Sequence, residues 1–272
     1  MQLYLLVLIA SLVAVLALES AKPLRPLAPG APWRWLNNLL LAALATAVTL
    51  LTPLLFWALA GLLSVQRGAP FGLLHWLEMP AWLAWPVTFL VLDALGYAVH
   101  RISHVVPWLW RLHAVHHTDP EMDATTTHRH HPLENGVTAL ISLAVLLPLG
   151  APPLAVLAYS LFALVVTTLA HANLSFGPRL TRALGWLLVT PDFHRNHHRS
   201  AQRWTDSNYG IVLPWFDRLL GTATAVEPVE QQRQMELGLA HSRSARDQRL
   251  DQLLLAPLQS RQSIAPTAVR AR

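Results

Sequence analysis

The sequence predicts an all-α integral membrane helical bundle with a histidine-rich helical cap at the cytoplasmic ends of its spans. Three observations lead there. The chain is 53% hydrophobic and only 13% charged, roughly half the charged fraction of about 25% found in soluble domains. Its apolar residues gather into runs close to the ~20 residues that a spanning helix needs. Its histidines are also bunched: of 14 in 272 residues, His100, His104, His113, His116, His117, His128, His130 and His131 fall in one block, and His194, His197 and His198 follow in another.

The first apolar run covers residues 3–18. No charged residue precedes it, and it ends in Leu18-Glu19-Ser20-Ala21-Lys22 rather than in a small-residue cleavage site, so it reads as a retained anchor and not as a signal peptide. Lys22, Arg25 and Arg34 follow it, and basic residues accumulate on the cytoplasmic side of spans. A second span over 38–62 then carries the chain out, leaving 64–78, with Arg67 as its only basic residue, outside. A third span over 80–98 returns it. The histidine block thereby lies at the cytoplasmic face, beside Arg101, Arg111 and Arg129.

The stretch 136–170 decides the architecture. As one span it would put His194, His197 and His198 across the membrane from the first block. Pro148-Leu149-Gly150-Ala151-Pro152-Pro153 interrupts it, and proline and glycine punctuate helices. The reading is a helical hairpin with arms of about 15–18 residues, short for a full crossing. After His171 come prolines and arginines, consistent with helices lying on the membrane surface. A polar tail starts near Val226, with a short interfacial helix expected around Leu250, Leu253, Leu254 and Leu255 and little order from Ser260 onward.

Composition also excludes. There is no cysteine, hence no disulfide, thiolate nucleophile or cysteine-ligated cluster within the chain. The net charge of +5 is spread along loops, nearly all of it arginine with Lys22 the only lysine, without the aromatic interleaving of a nucleic-acid surface. No internal repeat or glycine-rich phosphate loop occurs. Tryptophans such as Trp33, Trp35, Trp76, Trp82, Trp85, Trp108 and Trp110 flank the spans as an aromatic belt does. His75, alone on the far side, reads as packing.

Residues three and four apart share a helix face. His100 with His104, His113 with His116 and His117, and His194 with His197 and His198 therefore present imidazoles along common edges. Neutral imidazole ligates first-row transition metals, and eight such rings exceed what one four-coordinate zinc uses. Two ions are the natural count. Ligating histidines need an acceptor for the second ring nitrogen, and Asp93, Asp119, Asp123, Glu134 and Asp192 stand near the boxes. Asp93 lies inside an apolar span about two turns before His100, where a carboxylate is costly and usually functional.

The order His-x3-His, His-x2-His-His, His-Pro-Leu-Glu, a lone His-x-Asn and a second His-x2-His-His resembles the membrane fatty acid hydroxylase and sterol desaturase superfamily. Asp93, Tyr97 and His100-Arg101 resemble its approach to the first box. Asn208-Tyr209-Gly210 and the run from Trp215 to Thr222 resemble its closing segment, although Trp215-Phe216-Asp217 stands where the family often has Trp-Asp. The likeness covers 85–222 and divides the chain into N-terminal spans and connections (1–84), a catalytic domain (85–222) and a polar tail (223–272).

The resemblance implies metal ligands at His100, His104, His113, His116, His117, His131, His171, His194, His197 and His198. Of these, His131 and His171 rest mainly on it, which leaves His128 and His130 as extras. It implies two iron ions, which zinc can replace in a purified sample, with O2 as cosubstrate and a lipid C–H bond as target, either hydroxylated or desaturated. No flavin, haem or nucleotide motif is present, so electrons are expected from an external donor. Arg195, Arg199 and Arg203 either help dock it or contact lipid headgroups. Two alternatives stand beside this reading. A membrane zinc hydrolase would need a base such as the glutamate of His-Glu-x-x-His, whereas Arg101 and Ala114 follow His100 and His113. A metal transporter or metal-binding membrane protein would place its sites near the bilayer midplane.

Overall fold

The computed structural model of the protein describes residues 2–259; the loss of order expected from Ser260 lies outside them. The chain runs through α1 (Gln2–Ala21), α2 (Ala31–Arg67), a short α3 (Leu73–Trp76), α4 (Ala81–Val105), α5 (Pro107–His117), α6 (Pro132–Leu149) and α7 (Pro153–Ala170). Short helices α8 (Gly177–Leu184), α9 (Pro191–His197), α10 (Gln202–Thr205), α11 (Trp215–Leu219), α12 (Val229–Arg233) and α13 (Leu250–Leu255) follow. Five helices, α1, α2, α4, α6 and α7, are long and apolar enough to cross a membrane. Among the described residues there is no strand beyond one isolated bridge between Arg199 and Leu237.

The stretch 136–170 is a hairpin, with α6 and α7 joined at Gly150–Pro152. Its two arms dock separately, α6 along α2 and α7 between α1 and α4. The tip of the hairpin meets α3, where the Gly150 backbone lies against Phe71, Gly72 and the ring edge of His75. All other connections, and everything after α7, gather at the opposite end of the bundle. Both histidine blocks therefore share one end.

Two helices outrun the predicted spans for polar reasons. At 37 residues, α2 is about 55 Å long, well beyond a ~30 Å hydrocarbon core. Its first turns carry Arg34, Asn37 and Asn38, all at most 5% exposed. Arg34 donates to both Asp119 oxygens at 3.1 and 2.9 Å and also to Asp123, while Trp35 Nε1 donates to Asp123 at 2.6 Å. Asn38 donates to Asp119 and Thr125 and accepts from Arg129 Nη1 at 2.7 Å. Asp123 also caps the 3-10 turn Ala124–His128, with Thr126 completing a capping box. Asp119 and Asp123 thus serve Arg34 and this turn rather than a histidine. Likewise α4 continues past residue 98 to carry His100 and His104 on one helix.

The described part of the tail is not a separate polar extension. Leu253 and Ala256 close a core cluster with Leu41 of α2 and Val115 of α5, and Gln248 accepts from the fully buried Arg129 at 2.8 Å. The cap is fastened by such polar contacts between segments distant in sequence, and its apolar clusters are small.

One consequence is directly measurable. Arg34→Ala would leave two buried carboxylates without their cation, and breaking a buried pair costs about 3–5 kcal/mol. Detergent-purified Arg34→Ala is expected to melt well below the parent protein, and an unchanged melting temperature would contradict this role.

Candidate metal centre

The histidine positions follow from local helix geometry. Pro107 starts α5 just after α4 ends, and the three α5 histidines lie within one turn of each other on its inner face. Thr190 caps α9 by accepting from Phe193 N–H, with Pro191 in the first turn, so His194, His197 and His198 face α5. His171 stands at the end of α7. Two pockets result. In one, nitrogens of His100, His104, His113, His117 and His197 lie within 4.8 Å of one another; in the other, those of His116, His171, His194 and His198 do. The pockets adjoin, since His117 stacks on His198 at 4.7 Å between ring centroids and His194 on His197 at 5.0 Å.

The orientation of the rings is set from behind. His100 Nδ1 donates to Tyr209 O at 2.8 Å, His171 Nδ1 to Thr167 O at 2.8 Å and His197 Nδ1 to Ser207 O at 2.6 Å. A carbonyl only accepts, so each ring carries its proton on Nδ1 and leaves Nε2 as a free lone pair. His113 Nδ1 meets Glu134 at 2.7 Å, and His104 Nδ1 meets Asp206 at 3.3 Å. The inward atoms then crowd together. His113 and His117 Nε2 are 3.1 Å apart, and His171 Nε2 is 3.1 Å from His116 Nε2 and 3.0 Å from His194 Nε2. Nε2 of His100, His104 and His197 is buried with no partner in the protein. The outward acceptor does not extend to His116 and His194, whose Nδ1 atoms face none.

These donors fit metal. Ligand nitrogens about 2.0–2.1 Å from an ion stand at most ~4 Å apart across it, close to the spacing in both pockets. The rings are also kept neutral. Burial, followed by the neighbouring imidazoles, holds His116, His117, His194 and His198 well below the usual histidine range. Burial pulls His171 and His197 down to about 3.

The structure brings nine of the ten expected ligands together and leaves out His131. That ring caps α6: its Nδ1 accepts from Leu133 N–H at 3.2 Å and its Nε2 donates to Leu254 O at 3.2 Å, so neither ring nitrogen is free. His130 lies nearer the pockets, stacked on His116 at 4.3 Å and joined to both Glu134 oxygens at 3.1 Å. Burial opposes protonation of His130, but Glu134 overcomes it and raises its pKa. The spacing of His130 and Glu134, four residues, carried that signal.

Of the expected carboxylates behind the histidines, Glu134 alone meets them, at His113 and His130. Asp93 instead accepts from Tyr159 Oη at 2.9 Å and from the amides of Val212 and Leu213. Asp192 accepts from Ser175, Phe176, Thr181 and Gln232. Asp206, in contact with His104, was not anticipated, because a lone acid after a short helix leaves no periodic trace. Arg195 is buried, bonded to Gln232 and to the Ala172 and Leu174 carbonyls, and so offers no docking face.

The apolar helical bundle and the two histidine pockets define a class of protein with candidate metal sites at the ends of membrane-length helices, and comparison with known proteins gives its family. The model of the fatty acid hydroxylase family matches residues 85–222, and the chain belongs to that family. It is 32% identical over 144 residues to an ornithine lipid hydroxylase of Rhizobium tropici, covering 51% of this chain and 43% of that one. It is 30% identical over 161 residues to an alkylglycerol monooxygenase of Xenopus tropicalis, covering 58% of this chain and 33% of the relative. A very-long-chain aldehyde decarbonylase of Oryza sativa subsp. indica is 27% identical over 183 residues, covering 64% and 27%. The chain thus spans less than half the length of these relatives. No solved structure matches.

Two outcomes follow from the geometry. Because folded His171 and His197 titrate near 3 and an unfolded histidine near 6.5, the unfolded chain takes up protons first as pH falls. Stability is therefore intact above about pH 6.5 and declines below it, by about 1.4 kcal/mol per pH unit for each such ring. Melting of the metal-free protein between pH 7.5 and 5 checks the sign. Glu134→Gln is expected to weaken metal binding about 10–100-fold, measured by competition with a chelator.

Proposed function

We propose that the protein is a diiron oxidoreductase that uses O2 to oxidise an unactivated C–H bond of a membrane lipid, by hydroxylation or desaturation. The observation that carries this reading is the convergence of nine imidazoles into two adjoining pockets. No carboxylate belongs to either pocket, unlike the carboxylate-rich dimetal sites of soluble bundles. Family membership and the printed names of the relatives, a lipid hydroxylase and a lipid monooxygenase, support lipid as the substrate class.

Iron, when bound, supplies with O2 the oxidising power toward a C–H bond that no side chain has. The protein's own residues do the rest. His100, His104, His113, His117 and His197 would hold one ion, and His116, His171, His194 and His198 the other. The Tyr209, Thr167 and Ser207 carbonyls, with Glu134, keep proton-bearing nitrogens turned outward, so the inner lone pairs need no reorganisation on binding. The pockets stand at the ends of apolar helices, a placement that suits a substrate held in the bilayer. Electrons are assigned to an external donor; no flavin, haem or nucleotide motif lies within these 272 residues. The basic residues Lys22, Arg25, Arg101 and Arg111 at this end support a cytoplasmic site under the positive-inside rule.

Metal analysis of protein purified without oxygen tests the reading: about two irons per chain are expected from the two-ion count, and a single tightly held zinc would overturn it. His117→Ala and His197→Ala are each expected to insert normally into the membrane and to abolish the lipid change seen between cells with and without the gene. Normal lipid oxidation by either variant would refute the ligand assignment.

A further inference from the structure

Four amides within five residues are claimed by two carboxylates that touch no histidine. Asp217 accepts from Tyr209 N–H at 2.8 Å and Gly210 N–H at 2.7 Å. Asp93 accepts from Val212 N–H at 3.0 Å and Leu213 N–H at 3.1 Å. The same segment, 207–213, delivers the Ser207 carbonyl to His197 and the Tyr209 carbonyl to His100. It is one strap with carboxylates gripping its donors and imidazoles using its acceptors.

The register of this strap on α4 explains the position of Asp93. Asp93 and His100 lie seven residues apart on α4, about 10.5 Å along a helix, and both reach the strap, Asp93 at the Val212 and Leu213 amides and His100 at the Tyr209 carbonyl. The carboxylate and the imidazole of α4 therefore meet the strap at two points. The contact is close: a Cβ on Gly96 would lie 2.7 Å from Ile211 Cγ1, and one on Gly210 would lie 2.9 Å from both Asp217 Oδ2 and Leu213 O. Asn208, at φ +53°, fixes the strap's start by donating to Phe193 O and accepting from Thr224 N–H, both at 2.8 Å. The Thr222 hydroxyl, itself bonded to Tyr97, steadies Asp217 at 2.7 Å.

We infer that Asp93 and Asp217 are positioning residues for the five-histidine pocket alone: through the strap they set the tautomer and aim of His100 and His197. The four-histidine pocket draws on no strap carbonyl, since His171 is held by Thr167. The inference rests on the two-metal reading above. An asparagine at 217 would turn an N–H donor toward a backbone N–H, push the strap away and loosen the two carbonyl contacts.

The test uses full-length Asp217→Asn and Asp93→Asn protein, titrated anaerobically with ferrous iron. Binding at one of the two sites is expected to weaken about 10–100-fold while the other keeps its parental affinity. Nitrogen NMR of the metal-free protein is expected to show His100 and His197 losing their single Nδ1-protonated form while His171 retains it. Parental affinity at both sites, or equal loss at both, would overturn the inference. If the parent itself fails to take two irons, the functional reading fails, and the metal-free NMR still decides: unchanged tautomers at His100 and His197 in the variants sink the strap. Should Asp217→Asn yield too little folded protein, Thr222→Val removes only the hydroxyl that steadies the carboxylate. The same site-selective loss is expected there, and a loss without selectivity overturns the inference.

Discussion

Burying nine imidazoles together is tolerable only if they stay unprotonated, and this constraint organises the cap. A charged ring in that cluster would pay both desolvation and repulsion from its neighbours, so each ring must be neutral, and a neutral ring has one donor and one acceptor to place. The protein turns five of the nine Nδ1 atoms outward, onto three backbone carbonyls, Glu134 and Asp206, and leaves the Nε2 atoms of these rings facing inward. Main-chain oxygen suits this task because it neither titrates nor rotates. Thr167 O, in the last turn of α7, accepts from His171 N–H at 3.1 Å and uses its second lone pair for the His171 ring, whereas Ser207 O and Tyr209 O come from the non-helical strap 207–213.

The same economy runs through the rest of the cap. Three arginines are buried within it, at 0–5% exposure, and they are satisfied differently. Arg34 faces two carboxylates, whereas Arg129 bonds to Val115 O, Asn38, Thr118 and Gln248, and Arg195 to Gln232 and two carbonyls. Each joins segments far apart in the chain. With apolar residues committed to the spans, polar networks of high geometric demand specify how the cap closes, and the C-terminal helices are drawn in by Gln232, Gln248 and Leu253. The described tail is therefore part of the structure that encloses the site.

Periodicity made part of this legible. His100 with His104, and the two His-x2-His-His runs, declared their shared faces through the spacing of a helix, and all eight rings meet in the fold. The proline and glycine break at 148–153 declared the hairpin, and with it the common side of both blocks. What failed did so where side-chain identity was read without its tautomer or partner. His131 occupies the position before Pro132 that the family pattern favours, yet both of its nitrogens are spent on capping α6 and holding Leu254. Asp93 and Asp192 were expected behind histidines because they are near them in sequence. In space they grip backbone amides and side-chain donors instead.

By itself the sequence determined the apolar helices, the helical faces of the histidine boxes and their gathering at one end of the bundle, because apolar runs, helix breaks and three-or-four spacing are local properties of the chain. Only the tertiary structure decided which rings share a pocket, which nitrogen of each ring is free, and which acid or carbonyl stands behind it. Those depend on hydrogen bonds between residues separated by up to about a hundred positions, such as His100 with Tyr209 or His104 with Asp206, and a hydrogen bond across a fold leaves no period in the sequence.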